Sequence, residues 1–128
     1  MTGGILDSSI LIDCLRGRSK AIEFVAVQSA AGRLSTHLFV AAELLAGARD
    51  KQEQNLIDSF LQSFDLSIPT ESDGLVALDL YRQFHLSHGV DWPDCQIAAT
   101  ALRLGVAVLT QNVKHFNSFP GLLVVKTY

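Results

Sequence analysis

The chain has 128 residues, a formal net charge of −3, 48% hydrophobic residues and 18% charged residues. A chain of this length and composition can close one core over residues 1–128, burying about two thirds of its unfolded surface without disulfides or a structural metal. The composition excludes a disordered polypeptide, and an isoelectric point near 5.7 excludes a protein that coats nucleic acid by net charge alone.

In chain order, GGILD (3–7) reads as a strand ending on an acid. SSILIDCLRG follows as a helix with Ser8 or Ser9 as its cap and Ile10, Leu11, Cys14 and Leu15 at helical spacing. Residues 19–31 form a second helix closed by Gly32. RLST (33–36) is a short strand, and HLFVAAELLAGA continues from it as a helix carrying a lone acid, Glu43. KQEQNLIDSFLQSF is amphipathic and helical, and FDLSIP is a strand closed by Pro69. Thr70 and Asp73 have the spacing of a helix start, and that helix runs to His88 with Gly89 as terminator. DWPDCQIAATA begins the next helix, stopped at Gly105; VAVLTQN is a buried strand, VKHFNSF a short helical or looped segment and LLVVKTY a last strand.

Strands separated by helical segments of this length require crossover connections, so the expected fold class is α/β, three layers with a central parallel sheet of about five strands. No internal repeat or linker interrupts it. No apolar run nears the roughly 18 residues of a membrane span, and MTGGILDSS lacks the features of a secretory signal, so a cytoplasmic location with no membrane partner is expected. Cys14 and Cys95 lack zinc-site spacing and read as buried thiols. Arg16, Arg18 and Lys20, with Arg49 and Lys51, are the nearest candidates for a basic patch.

Ligands of parallel sheets bind outside the carboxyl ends of the strands. Asp7 ends the first strand, Glu43 follows the second, Asn112 follows the fourth, and Asp94 joins them if the loop from Gly89 to Trp92 crosses to that edge. Carboxylates crowded in an apolar fold repel, and a hard divalent cation resolves the repulsion. Oxygen-only ligation, with no His or Cys nearby, fits Mg²⁺ or Mn²⁺, which activate water and hold phosphate oxygens. Glu43 interrupts an apolar helix that reads as buried on most sides, where an unpaired charge is costly. With Pro93 early in its helix, Asp91 or Trp92 is the cap and Asp94 falls in the first turn, so capping alone accounts for both acids. His37, His85 and His88 read as surface or helix-end residues, and His115 as a rim residue able to approach a bound phosphate.

The blocks ILDSSILID, AELLAGA, DCQIAATALRLGVAVLTQNVKHF and PGLLVV, in this order and spacing, resemble the PIN-domain ribonucleases, specifically VapC-type toxins of toxin–antitoxin pairs. The resemblance spans essentially the whole chain. It implies a PIN-like α/β/α fold and a Mg²⁺- or Mn²⁺-dependent endoribonuclease that leaves 5′-phosphate and 3′-hydroxyl ends on transfer or ribosomal RNA. The family's acidic metal-binding set falls on Asp7, Glu43 and Asp94, with Asn112 at its fourth position, Ser9 and Thr110 in support, and Asp91 as a cap or outer-shell residue. A VapB-type antitoxin and a toxin homodimer are the implied partners, for which the segments 19–31 and 55–64 offer apolar faces. Val40 stands where many relatives have threonine, and Asn112 removes a charge from a second metal position. The alternative reading is a degenerate PIN domain that binds RNA or protein without cutting. A phosphatase or receiver domain is disfavoured because DSSIL lacks the second acid such sites carry.

Overall fold

Gly4 has a φ of +129°, and a Cβ there would lie 2.8 Å from the Ala107 carbonyl oxygen, so only glycine lets the first strand approach its neighbour this closely. The strand it introduces, β1 (Ile5–Leu6), is the centre of the computed structural model, which describes residues 3–128. Helices α1 (Ser8–Leu15) and α2 (Ser19–Ala31) follow, then β2 (Ser35–His37), α3 (Leu38–Ala46), α4 (Lys51–Leu61) and β3 (Asp65–Ser67). The second half comprises α5 (Glu71–His88), α6 (Trp92–Leu104), β4 (Val108–Thr110), one 3₁₀ turn (Val113–His115) and β5 (Val124–Lys126). Residues 1 and 2 lie outside the described part, and with them the first letters of the segment read for a signal.

The five strands form one sheet in the order β3-β2-β1-β4-β5, every neighbouring pair parallel. β1 is flanked by β2 and β4, so successive crossovers leave it in opposite directions and open a crevice at the carboxyl ends of β1 and β4. Ile5 and Leu6 are fully buried, as are Ile10 and Leu11 of α1, and Val108 of β4 lies beside them. Each such side chain contributes roughly 1.5–3 kcal/mol by leaving water. Ala77 of α5 and Ala98 and Ala101 of α6 are buried with no side chain beyond Cβ, which lets these two helices pack closely.

Several local expectations are corrected. α1 is capped by Asp7 rather than by Ser8 or Ser9: its Oδ1 accepts from the Ser8 amide at 2.7 Å, because the strand stops one residue earlier than read. β2 is displaced towards His37, and α4 ends at Leu61, short of Phe64. The Thr70–Asp73 capping box is present, and α5 and α6 end at Gly89 and Gly105 as expected. His37 is at a helix end, capping α3 through Nδ1, yet it is wholly buried. Of the two thiols, Cys95 is buried and Cys14 half-buried.

Candidate functional site

Asp7 is buried at the carboxyl end of β1. Its Oδ2 accepts from Thr110 Oγ1 at 2.8 Å and from Ser9 Oγ at 3.2 Å. Ser9 Oγ in turn accepts from the Gln111 amide at 3.1 Å, and Thr110 Oγ1 accepts from the Asn112 amide at 2.8 Å. The two hydroxyls thus lock the end of β1, the start of α1 and the turn after β4 into one arrangement around a carboxylate. The Ser8 amide at 2.7 Å and, more distantly, the Ser8 hydroxyl at 3.5 Å donate to Oδ1, so four donors face a carboxylate with roughly four lone-pair directions. Only the long Ser8 hydroxyl contact is weak enough for a ligand to displace.

Asp94 is buried in the first turn of α6, and its Oδ2 accepts from the Asp91 amide at 3.3 Å. Asp91 is the N-cap residue of that helix. The same Oδ2 lies 3.2 Å from His115 Nδ1, which the 3₁₀ turn after β4 presents. Burial first, then the charges of Asp7 and Asp91, push the Asp94 carboxyl up to about 6, against the opposing pull of the Asp91 amide and His115. Asp91, Asp94 and His115 each offer a ligand atom within 4.8 Å of the others. The loop from Gly89 to Trp92 does bring Asp94 to the edge where Asp7 lies.

Two expectations change here. The absence of histidine does not hold, because His115 touches Asp94; its distance from Asp94 in sequence hid a contact that only the β4 crossover creates. Glu43 is not buried: Val40, Ala41 and Leu44 form the inner face of α3, and Glu43 is exposed on the wall of an adjoining cavity of about 290 Å³ with Ile12, Leu15 and Arg16. The carboxylates whose charges reach Asp94 are Asp7 and Asp91, without Glu43. Asn112 is exposed at the same edge, and its amide rather than its side chain supports Thr110.

Cys95, next to Asp94, is no nucleophile: burial and then the charges of Asp94 and Asp91 push its thiol up to about 12. A second buried polar chain runs behind the site. The Phe39 amide donates to His37 Nδ1, which leaves the proton on Nε2 to face Thr100 Oγ1 at 3.0 Å; Thr100 then donates to Asp73 Oδ2 at 3.0 Å. Arg103 closes the chain with bonds of 2.8 Å and 3.0 Å to the two oxygens of Asp73.

A buried carboxylate beside a second carboxylate and an imidazole is a mixed oxygen and nitrogen donor set. It suits Mn²⁺ and tolerates Mg²⁺, whose preference is oxygen alone. Oδ1 of Asp94 makes no hydrogen bond among the described residues, so it is open to a ligand.

The sequence profile of the PIN domain matches residues 4–121. The chain is 34% identical over 120 residues to a protein named ribonuclease VapC19 from Mycobacterium tuberculosis, covering 92% of this chain and 95% of that one. It is 32% identical over 119 residues to ribonuclease VapC10 from the same organism, covering 92% and 89%. A toxin–antitoxin complex from Klebsiella pneumoniae superposes with a TM-score of 0.79 at 25% identity over 98% of both chains. VapBC2 from Rickettsia felis, bound to a DNA fragment from its promoter, has a like fold, with a TM-score of 0.80 at 20% identity over 94% and 96%.

Proposed function

The chain belongs to the PIN-domain family, among its VapC-type ribonucleases, and from that membership we propose that it is a divalent-metal-dependent endoribonuclease toxin acting on structured RNA of the translation machinery. The observation that carries the metal dependence is the buried Asp94, its carboxyl raised first by burial and then by the charges of Asp7 and Asp91, and its Oδ1 unengaged, with Asp91 and His115 within reach of one ion.

Asp7, Asp94 and Glu43 would hold Mg²⁺ or Mn²⁺, with Asp91 and His115 close enough to add a ligand and Asn112 at the edge. Such an ion supplies a water of lowered pKa and neutralises charge on a phosphodiester, giving 5′-phosphate and 3′-hydroxyl ends. The chain's own contribution is positioning. Ser9 and Thr110 hold Asp7 in one rotamer, and the α6 cap holds Asp94, so that little reorganisation is left for the reaction itself. Glu43 would be the ligand brought by α3; its exposed side chain is not tied to any partner by a hydrogen bond among the described residues. Gln96, buried on α6, takes no part in this reading.

A VapB-type antitoxin is the proposed partner, and a basic side chain from it would neutralise the carboxylates as a metal does. The apolar cavity of about 300 Å³ between α2 and α4, lined by Ile22, Val25, Phe60 and Phe64, supports docking of an antitoxin segment or a second toxin copy there. A toxin homodimer belongs to the same proposal. No helix among the described residues is long and apolar enough to cross a membrane.

The binding-only alternative has one observation in its favour, that Glu43 stands apart from the other acids. Purified protein incubated with total cellular RNA separates the two. Cleavage with Mg²⁺ or Mn²⁺ into discrete fragments is expected, lost with EDTA and reduced at least about 100-fold in Asp94→Asn and in Glu43→Gln. Equal inactivity of antitoxin-free wild type and both variants would put the binding module first.

A further inference from the structure

Beside the acidic site lies a cavity of about 360 Å³ with the opposite character, lined by Gln111, Asn112, Val113, Lys114, His115 and Lys126. No acid contributes to its wall. Of the chain's 10 lysines and arginines, Arg18, Arg33, Arg49, Arg82 and Arg103 are committed to ion pairs. Lys114 and Lys126 make none among the described residues, and both are exposed on this cavity. For a chain of net charge −3, the convergence of two uncommitted ammonium groups on one concavity is a local reversal of sign.

Placement relative to the site follows from strand register. Lys126 pairs with Thr110 across β4 and β5, and Thr110 holds Asp7. Adjacent strands are about 4.8 Å apart, so Lys126 lies one strand from the Thr110 hydroxyl and two from Asp7. Lys114 is carried by the turn that presents His115 to Asp94. The floor is rigid: the Gln111 side chain donates to the Tyr128 carbonyl at 2.9 Å and accepts from Thr127 Oγ1 at 3.0 Å, which ties the turn after β4 to the segment after β5.

We propose that this cavity is a phosphate subsite for the RNA strand, in which Lys114 and Lys126 grip a phosphodiester flanking the one at the carboxylates. The inference rests on the ribonuclease reading and deepens it. Ammonium groups on flexible stems neutralise phosphate as point charges and carry no base information. The subsite therefore supplies affinity and strand register, and sequence choice is made elsewhere. It also offsets the repulsion between a polyanion and an acidic pocket before the cation is in place.

The test measures binding of wild type in EDTA to a fluorescein-labelled single-stranded RNA of mixed sequence, as a function of salt, with metal-dependent cleavage of the same RNA measured separately. Lys114→Gln/Lys126→Gln is expected to weaken binding about 10-fold near 0.1 M salt. It should also flatten the slope of log K against log salt by about 1.4, the value for two contacts to a single strand. Lys114→Arg/Lys126→Arg should restore both, and Arg33→Gln/Arg82→Gln, which removes the same charge at two ion-paired sites elsewhere, should change binding less than about 2-fold by the same salt argument. An unchanged slope in the first variant, or equal losses in the two Gln pairs, overturns the subsite while leaving a cleaving wild type as a ribonuclease. Binding of labelled polyglutamate is measured in parallel; its loss in Lys114→Gln/Lys126→Gln with RNA binding intact would overturn the subsite in favour of an acidic peptide. Wild type that neither binds nor cuts RNA removes both readings together.

Discussion

At pH 8 the Asp94 carboxyl, raised to about 6 from an ordinary 3.8, is ionised in a place that disfavours charge. The folded chain binds that proton more tightly than the unfolded one between these values, so its contribution to stability is greatest below the window and is lost as pH rises through it. Two units correspond to on the order of 3 kcal/mol. Asp94→Asn keeps an acceptor for the Asp91 amide and removes the charge. Its metal-free melting temperature at pH 8, read by circular dichroism in EDTA, should equal or exceed that of wild type. A fall of several degrees would instead make the carboxylate chiefly a helix cap. Asp7 could be picked out of the sequence as an acid at a strand end, whereas Asp94, which capping alone explains, stood out only through the blocks that resemble the PIN-domain family. His115 reads as a rim residue, but its contact with Asp94 was not legible, since nothing local marks a partner that is reached only through a crossover.

Elements are joined by the buried chain from His37 through Thr100 to Asp73 and Arg103, which ties β2 and α3 to α6 and α5. Burial holds the His37 imidazole down at about 4, outweighing the pull of Asp73. Burial pushes the Asp73 carboxyl up, and the bonds from Arg103, the Thr70 amide and Thr100 outweigh it, leaving Asp73 at about 2. A neutral His37 stabilises the fold above the unfolded value of 6.5, and that contribution, on the order of 3 kcal/mol, disappears as pH falls towards 4. Asp94 acts in the opposite sense over an overlapping range, so the measurement belongs in the Asp94→Asn background. Urea unfolding there should lose about 3 kcal/mol between pH 7 and pH 4, and adding His37→Asn should remove most of that dependence. A pH-independent free energy would show that the imidazole is not held neutral. The capping role of Asp73 was legible from Thr70 three residues earlier; its bond to Arg103, from the far end of the next helix, was not. Glu43 was misread for a related reason: an apolar run in a nine-residue helix looks buried all round, whereas α3 has one inner face and leaves the acid outside.

For the whole molecule, the three layers and a parallel sheet of about five strands followed from alternating strand and helix signals, because parallel pairing requires crossovers; the strand order β3-β2-β1-β4-β5 is not read from the sequence. What sequence could not supply was which edge residues touch. On the proposed reading, a divalent ion at that edge would bind the folded state alone. Mn²⁺ at about 100 times its dissociation constant should add about 2.7 kcal/mol, or roughly 10 °C in melting temperature. Asp94→Asn should lose that shift; an equal shift in the variant would place the ion elsewhere.

The position of β1 has a temporal consequence. It leaves the ribosome first among the strands, yet it is central and waits for partners from both sides, Ser35 on β2 and Val108 on β4. Asp7 gains its bond from Thr110 across 103 positions of chain, and Asp94 meets His115 only once the turn after β4 exists. Closing so long a loop comes late in folding. On the ribonuclease reading, a polypeptide still being translated has no assembled centre until residue 115 has emerged, so the chain becomes competent to cut only once it is nearly complete.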